Sequence, residues 1–304
     1  MKLTLILLLA LTLLTSGCAS PASPATAPAP IEPVSPTSTS LPTEASLAAT
    51  DTHPTETAFP PVEIWHPPLD STFSWQLGNN DEINTEFNAA IFDIDAFETK
   101  ASLISRLHSE GKKVFCYISV GSWEDWRPDA ADFPAKVIGK DYEGWAGEKW
   151  LDIRQIDLLA PIMLARLDMC AEKGFDGVEP DNMDSMWADT GFDISYEDQI
   201  AYNIWLAEEA HARGLSIGQK NGEDQVFDLL LYFDWGLTED CFVGEWCEEM
   251  LPLIEAGKPV FAAEYTDEVS YEKFIADICP QAKALGFYVF LKNRNLDEYR
   301  AECP

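Results

Sequence analysis

From residue 62 onward, eight short apolar runs each end in polar or ionisable side chains. The first ends near Trp75-Gln76, the second in Asp93-Ile94-Asp95, and the third in Ser119-Val120-Gly121-Ser122-Trp123-Glu124. The fourth ends in Glu179-Pro180-Asp181-Asn182, the fifth in Lys220-Asn221, and the sixth leads to Glu239. The seventh ends in Glu264-Tyr265 and the eighth in Lys292-Asn293-Arg294. Carboxylates and aromatics around one rim, without a histidine cluster, suit cleavage of a glycosidic bond. One carboxyl group protonates the leaving oxygen and a second attacks the anomeric carbon or activates water. Nearby negative charge then stabilises the cationic transition state. Trp75, Trp123, Trp126 and Tyr265 are placed to stack on sugar faces.

Other chemistries fit less well. Acyl transfer lacks a GxSxG elbow and a histidine at a strand end. The four histidines (His53, His66, His108, His211) are scattered and no CxxC pair occurs, so neither metal hydrolysis nor a structural zinc is expected. Without a GxGxxG turn or a P-loop, no nucleotide cofactor is implied. Plainer roles compete at single positions. Asp93 can face the sheet interior in a buried hydrogen bond, Asp176 reads as strand structure, and Trp145 and Trp150 read as packing residues. Acidic residues at loop starts also cap helices.

These residues meet only if the runs are strands of one sheet. The expected strands are Phe73–Leu77, Ala90–Ile94, Lys113–Val120, Gly174–Glu179, Ser216–Lys220, Phe233–Leu237, Val260–Tyr265 and Phe287–Leu291. They are nearly continuous in apolar residues, as strands buried on both faces should be. Helical patterns separate them. Ala101–Ser109 carries Leu103, Ile104 and Leu107 at helical spacing. Pro161 sits as a first-turn proline of a helix running to Lys173. Ser195 and Asp198 form a capping box for a helix stopping at Gly214. Ser270 caps Tyr271–Ile278. This alternation predicts an α/β (β/α)8 TIM barrel, with an open doubly wound sheet as the alternative. In a barrel the strand ends above share one face, where active sites form.

The flanking sequence sets the context. Residues 1–17 form a signal peptide: Lys2, an apolar stretch Leu3–Leu14, then small residues before Cys18. Thr15-Ser16-Gly17-Cys18 looks like a bacterial lipoprotein box, which implies lipidation of Cys18 and a membrane anchor; ordinary secretion is the alternative. Residues 18–61, rich in Pro, Thr and Ser, read as a disordered linker. The domain expected to fold is 62–304. The net charge of −32 argues against a nucleic-acid partner and favours a cationic ligand, though on charge alone solubility or salt adaptation is the better explanation. Six cysteines follow Cys18, an even number that permits disulfides in an exported chain. Cys241–Cys247 is the preferred bridge, Cys279–Cys303 a second, and Cys116 is expected as a buried thiol.

Several segments taken in order carry a resemblance. They include Trp75-Gln76-Leu77, Phe92-Asp93-Ile94-Asp95, Lys113 to Ser119, and Gly121 to Asp129. Gly147 to Arg154, Gly174 to Asn182, Lys220-Asn221, Thr238-Glu239-Asp240-Cys241 and Ala263-Glu264-Tyr265 complete the set. The chain from Trp65 to about Lys292 resembles glycoside hydrolase family 114, the endo-α-1,4-polygalactosaminidases. The resemblance implies a barrel enzyme, free of cofactors, that cleaves internal linkages of galactosamine-containing polymers. Asp181 then matches the catalytic aspartate, assigned as nucleophile, and Glu239 the catalytic glutamate, assigned as general acid/base. Thr238 and Asp240 depart from the commoner family pattern around that glutamate. Trp75, Asp95, Tyr117, Trp123, Asp152, Asn182, Lys220, Asn221, Glu264 and Tyr265 are expected to bind sugar or orient the pair. Deacetylated galactosamine carries ammonium groups, which gives the acidic balance a use. A non-catalytic carbohydrate-binding lipoprotein, a hydrolase of another linkage, and a metal- or cofactor-dependent enzyme are the competing readings.

Overall fold

The computed structural model describes residues 63–78 and 83–304. The signal peptide, Cys18 and the 18–61 linker lie outside the described residues. The apolar runs form strands at nearly the expected places. In chain order the strands are β1 (Phe73–Gln76), β2 (Ile91–Asp95), β3 (Lys113–Ser119), β4 (Ser122–Glu124), β5 (Ile138–Asp141), β6 (Glu148–Leu151), β7 (Gly177–Asp181), β8 (Ser216–Lys220), β9 (Trp235–Glu239), β10 (Val260–Tyr265), β11 (Tyr288–Lys292) and β12 (Arg300–Glu302). The main helices are α1 (Ala101–Ser109), α2 (Ile156–Lys173), α3 (Tyr196–Ala212), α4 (Val226–Leu229), α5 (Leu251–Glu255), α6 (Tyr271–Lys273) and α7 (Cys279–Leu285).

Eight parallel strands run in the order β1-β2-β3-β7-β8-β9-β10-β11, and β12 adds antiparallel to β11. This is the curled parallel sheet of a (β/α)8 TIM-barrel fold. Among the described residues no ladder joins β1 to β11. The seam is crossed instead by the Leu77 and Gly78 amides, which donate to the Leu296 carbonyl at 3.1 and 2.9 Å. Inside the curl, alternate residues build an aromatic floor: Phe73 stacks on Phe261 (4.3 Å) and Phe115 on Trp235 (4.6 Å). Gly177 and Gly218 make room for it, since a Cβ there would lie 2.8 Å from the Phe115 ring and 2.5 Å from the Trp235 ring. The opposite strand faces pack on the helices in two further apolar clusters.

Local signals act as expected in most places. Ser195 accepts from the Asp198 amide and Asp198 from the Ser195 amide, completing the box that starts α3. Ser270 caps α6, which continues through a π-helical turn, Phe274–Ile278, into α7. Pro161 is a correction: α2 starts at Ile156, which places the proline inside the helix. The missing amide removes one helical bond, offset by the burial of Leu159, Ile162, Met163 and Leu167 against the sheet. Cys116 is a second correction. It is not a free thiol but bonds Cys170 across a Cα separation of 6.1 Å, tying β3 to α2. Cys241–Cys247 and Cys279–Cys303 are also bridged. Unforeseen is a small antiparallel sheet, β4-β6-β5, inserted between β3 and α2. It forms one wall above the barrel mouth.

Candidate active site

At the C-terminal ends of the strands lies a cleft of about 500 Å3. Its floor is organised by one cation. Lys220, at the end of β8, places its Nζ 2.6 Å from Asp181 Oδ1, 3.1 Å from Glu239 Oε2 and 3.1 Å from Glu179 Oε1. Two atoms cannot lie farther apart than their combined distance to a third. The nearest oxygens of Asp181 and Glu239 are thus within about 5.7 Å, compatible with carboxyl groups acting on one glycosidic bond.

Each carboxyl is aimed by further donors. The Tyr117 hydroxyl donates to Asp181 Oδ2 at 3.1 Å. The Tyr265 hydroxyl donates to Glu239 Oε1, and the Asn221 amide to Oε2 at 3.1 Å. The chain turns at once after each of these strand ends. Asn182 (φ 64°), Asn221 (φ 48°) and Asp240 (φ 54°) all adopt left-handed backbone conformations, which Asn and Asp tolerate better than most residues. The Asn221 and Asp240 amides then bond the Leu237 and Ala263 carbonyls on neighbouring strands.

Asp181 and Glu239 open to the cleft, with side chains 20% and 28% exposed, whereas Glu179 is fully buried. Burial pushes Glu239 up, but Lys220, Tyr265 and Asn221 more than offset it and hold the carboxyl below its usual range. Burial raises Glu179 to about 7, helped by the charge of Asp181 and opposed by Lys220. On the wall nearest Asp181, Glu148 is raised to about 7, chiefly by burial. Its Oε1 accepts from Ser122 and, at 3.1 Å, from Asn182. Asp184 is raised to about 6 by burial and by Asp181.

Nine of the twelve expected site residues line the cleft: Trp75, Asp95, Tyr117, Asp181, Asn182, Lys220, Asn221, Glu239 and Tyr265. Trp75 is 1% exposed, so it serves as floor rather than as a stacking face. Its Nε1 donates to Glu179 at 2.8 Å and its ring lies 5.0 Å below Lys220. Asp95 is paired with Arg127 at 2.7 Å, which keeps that guanidinium in the wall. Trp123, Asp152 and Glu264 do not line the cleft. The Trp123 indole donates to the Ala130 carbonyl at 2.9 Å. Asp152 is engaged by Arg154 at 2.7 Å. Glu264 points away from the mouth and accepts from the Phe242 and Val243 amides, pinning the loop after Glu239.

Other residues of the cleft carry little signal in the sequence. Trp145 is half-exposed in the cleft wall rather than packed, while Trp150 does pack, against Tyr142. Tyr142, Glu148 and Asp184 line the cleft from segments with no strand-end signal. Glu179 had one: it precedes Asp181 by two residues and shares its strand face. Asp176 lies just before β7 rather than within a strand, and accepts from the Val114 amide and from Lys113.

Comparison with known proteins gives this geometry a context. The profile of glycoside-hydrolase family GH114 matches residues 54–304. The crystal structure of Aspergillus fumigatus Ega3 in complex with galactosamine superposes with a TM-score of 0.74 at 35% identity, covering 79% of this chain and 98% of that one. The glycoside hydrolase domain of PelA from Pseudomonas aeruginosa shares the fold, with a TM-score of 0.60 at 17% identity over 78% and 99% of the two chains. An uncharacterized protein of Deinococcus radiodurans is 25% identical over 235 residues, covering 70% of this chain and 74% of its own.

Proposed function

Because the chain belongs to glycoside-hydrolase family GH114, we propose that it cleaves internal α-1,4 linkages of a galactosamine-containing polysaccharide with Asp181 and Glu239 as the acting carboxyls. One observation carries the reading: two carboxyl groups from separate strands share the Lys220 ammonium at the floor of an open cleft. The likeness to Ega3, whose crystal structure contains galactosamine, supports the substrate class. Acidic groups in the wall, Glu148 and Asp184, suit a cationic sugar.

Asp181 is proposed as nucleophile and Glu239 as general acid/base. The acid role asks Glu239 to gain a proton that Lys220, Tyr265 and Asn221 now hold off. The exchanged assignment, with Glu239 attacking and Asp181 donating, therefore has the depressed Glu239 carboxyl in its favour. The test is product analysis on deacetylated and acetylated galactosamine polymers with wild type, Asp181→Asn and Glu239→Gln. Loss of oligosaccharide release in both variants is expected; full turnover in either sinks the pair. Azide then assigns the roles: the acid/base variant gives a glycosyl azide of retained configuration, and the nucleophile variant one of inverted configuration. The disulfides suit an oxidising compartment, and export with lipidation at Cys18 completes the proposal. Among the described residues no helix is long and apolar enough to cross a membrane. Labelling with a radioactive fatty acid, lost in Cys18→Ala, tests the anchor.

A further inference from the structure

Beneath the acting pair lies a second, sealed pair of acids. Glu179 on β7 and Asp93 on β2 are both fully buried. Glu179 is well served: Trp75 Nε1 donates to one oxygen at 2.8 Å and Lys220 Nζ to the other at 3.1 Å. Among the described residues Asp93 has no donor for either oxygen. A buried carboxyl without a donor, set beside another carboxyl, keeps its proton and can donate it. Burial first and the charge of Glu179 second push Asp93 well above the ordinary carboxylate range.

We propose that Asp93 and Glu179 are positioning residues that anchor Lys220 from below and cancel its charge, so that the reacting sugar meets only the two carboxylates above. The inference rests on the catalytic pair proposed above. An ammonium has three N–H donors, and Lys220 contacts three carboxylates: Glu179, Asp181 and Glu239. Two of these face the cleft and one holds from beneath. A lone cation there would oppose the positive charge that develops on the sugar ring. With Glu179 ionised, Lys220 is neutralised from the interior and the pair keeps its negative field. The titratable groups facing this assembly are Asp93 from β2, Tyr117 from β3, Asp181 from β7, Asp184 from the segment after β7, Glu239 from β9 and Tyr265 from β10.

The signs follow from charge. Glu179→Gln removes a negative charge near both acting carboxyls, so both become stronger acids and the pH–rate profile moves to lower pH. Lys220→Met moves it to higher pH. Glu179→Asp keeps the charge and holds the limbs near their original place. The experiment is the pH dependence of kcat and KM on a soluble galactosamine polymer. In Glu179→Gln a fall in kcat of at least about tenfold, with KM nearly unchanged, is expected, because the lost effect belongs to the transition state. A purely structural role would lower folded protein in both Glu179 variants without moving either limb. A second arm needs no substrate: infrared titration of the wild type. A protonated-carboxyl band should persist at a pH where Glu148 and Glu264, raised to about 7, have ionised, and should vanish in Asp93→Asn. Unmoved limbs with normal kcat in Glu179→Gln, or no such band, overturn the inference. Failure to cleave any galactosamine polymer would instead refute the function, leaving the infrared result to stand alone.

Discussion

Replacing Tyr265 by Phe removes one hydroxyl and little else. The ring stays packed, with the Arg294 guanidinium 4.0 Å from its centroid. What disappears is the bond to Glu239 Oε1. A hydrogen bond to a charged acceptor contributes about 1.5–3 kcal/mol, and about 1.4 kcal/mol corresponds to one pH unit. Glu239 should therefore rise by about one to two pH units, the lower figure being favoured because its side chain is 28% exposed to cleft water. The assay is kcat/KM against pH by reducing-end release, which reports the free enzyme's groups. If Glu239 acts as the acid, it must be protonated, and the alkaline limb moves up. If it is the nucleophile, it must be ionised, and the acid limb moves up. Stability offers a second readout. Glu239 is depressed in the fold, so its interactions stabilise above the unfolded carboxyl pKa and are lost as pH falls through the folded value. Tyr265→Phe should thus lower Tm at neutral pH and converge on wild type in acid. A profile with neither limb displaced would refute the reasoning.

The chain-entropy relation gives about 4 kcal/mol for the Cys116–Cys170 bridge, at a separation of 54 residues, against about 2 kcal/mol for Cys241–Cys247 at 6; urea unfolding of paired Cys→Ala variants should reproduce that ranking. Arg166, 1% exposed, bonds Asp129 at 2.8 and 3.0 Å and the Ser119 carbonyl at 2.6 Å. Arg166→Met should cost about 3–5 kcal/mol by leaving buried partners unpaired, read as a drop in the urea midpoint. Turnover of a deacetylated polymer should fall as salt rises from about 0.05 to 0.5 M, while that of a fully acetylated one should not, as parallel rate measurements will show.

The barrel was legible because its strands are buried on both faces and carry unbroken apolar runs. Ser216–Lys220 and Val260–Tyr265 match their expected bounds to the residue. Strand ends then located Asp181, Lys220 and Glu239. The β4-β6-β5 insert was not legible: strands of three or four residues carry too little periodicity to signal themselves. Its residues Trp145 and Glu148 were lost with it. Pairing of Cys116 with Cys170 depends on α2 crossing β3, which is a long-range fact. Glu264 lies off the cleft for a simpler reason. Side chains alternate along a strand, so one strand end offers two directions, and it is Tyr265, one residue on, that faces the cleft.

The left-handed turns at Asn182, Asn221 and Asp240 separate two kinds of sequence. Before each turn, the chain is locked in the ladder and its side chain is aimed. After each turn, the connecting segment leaves the ladder, so its length can change without re-pairing the strand behind it. Descendants of this scaffold can therefore trade surface segments while the two carboxyls proposed to act, Asp181 and Glu239, stay where they are. Grafting connectors between relatives at these three joints is the natural route to new specificities.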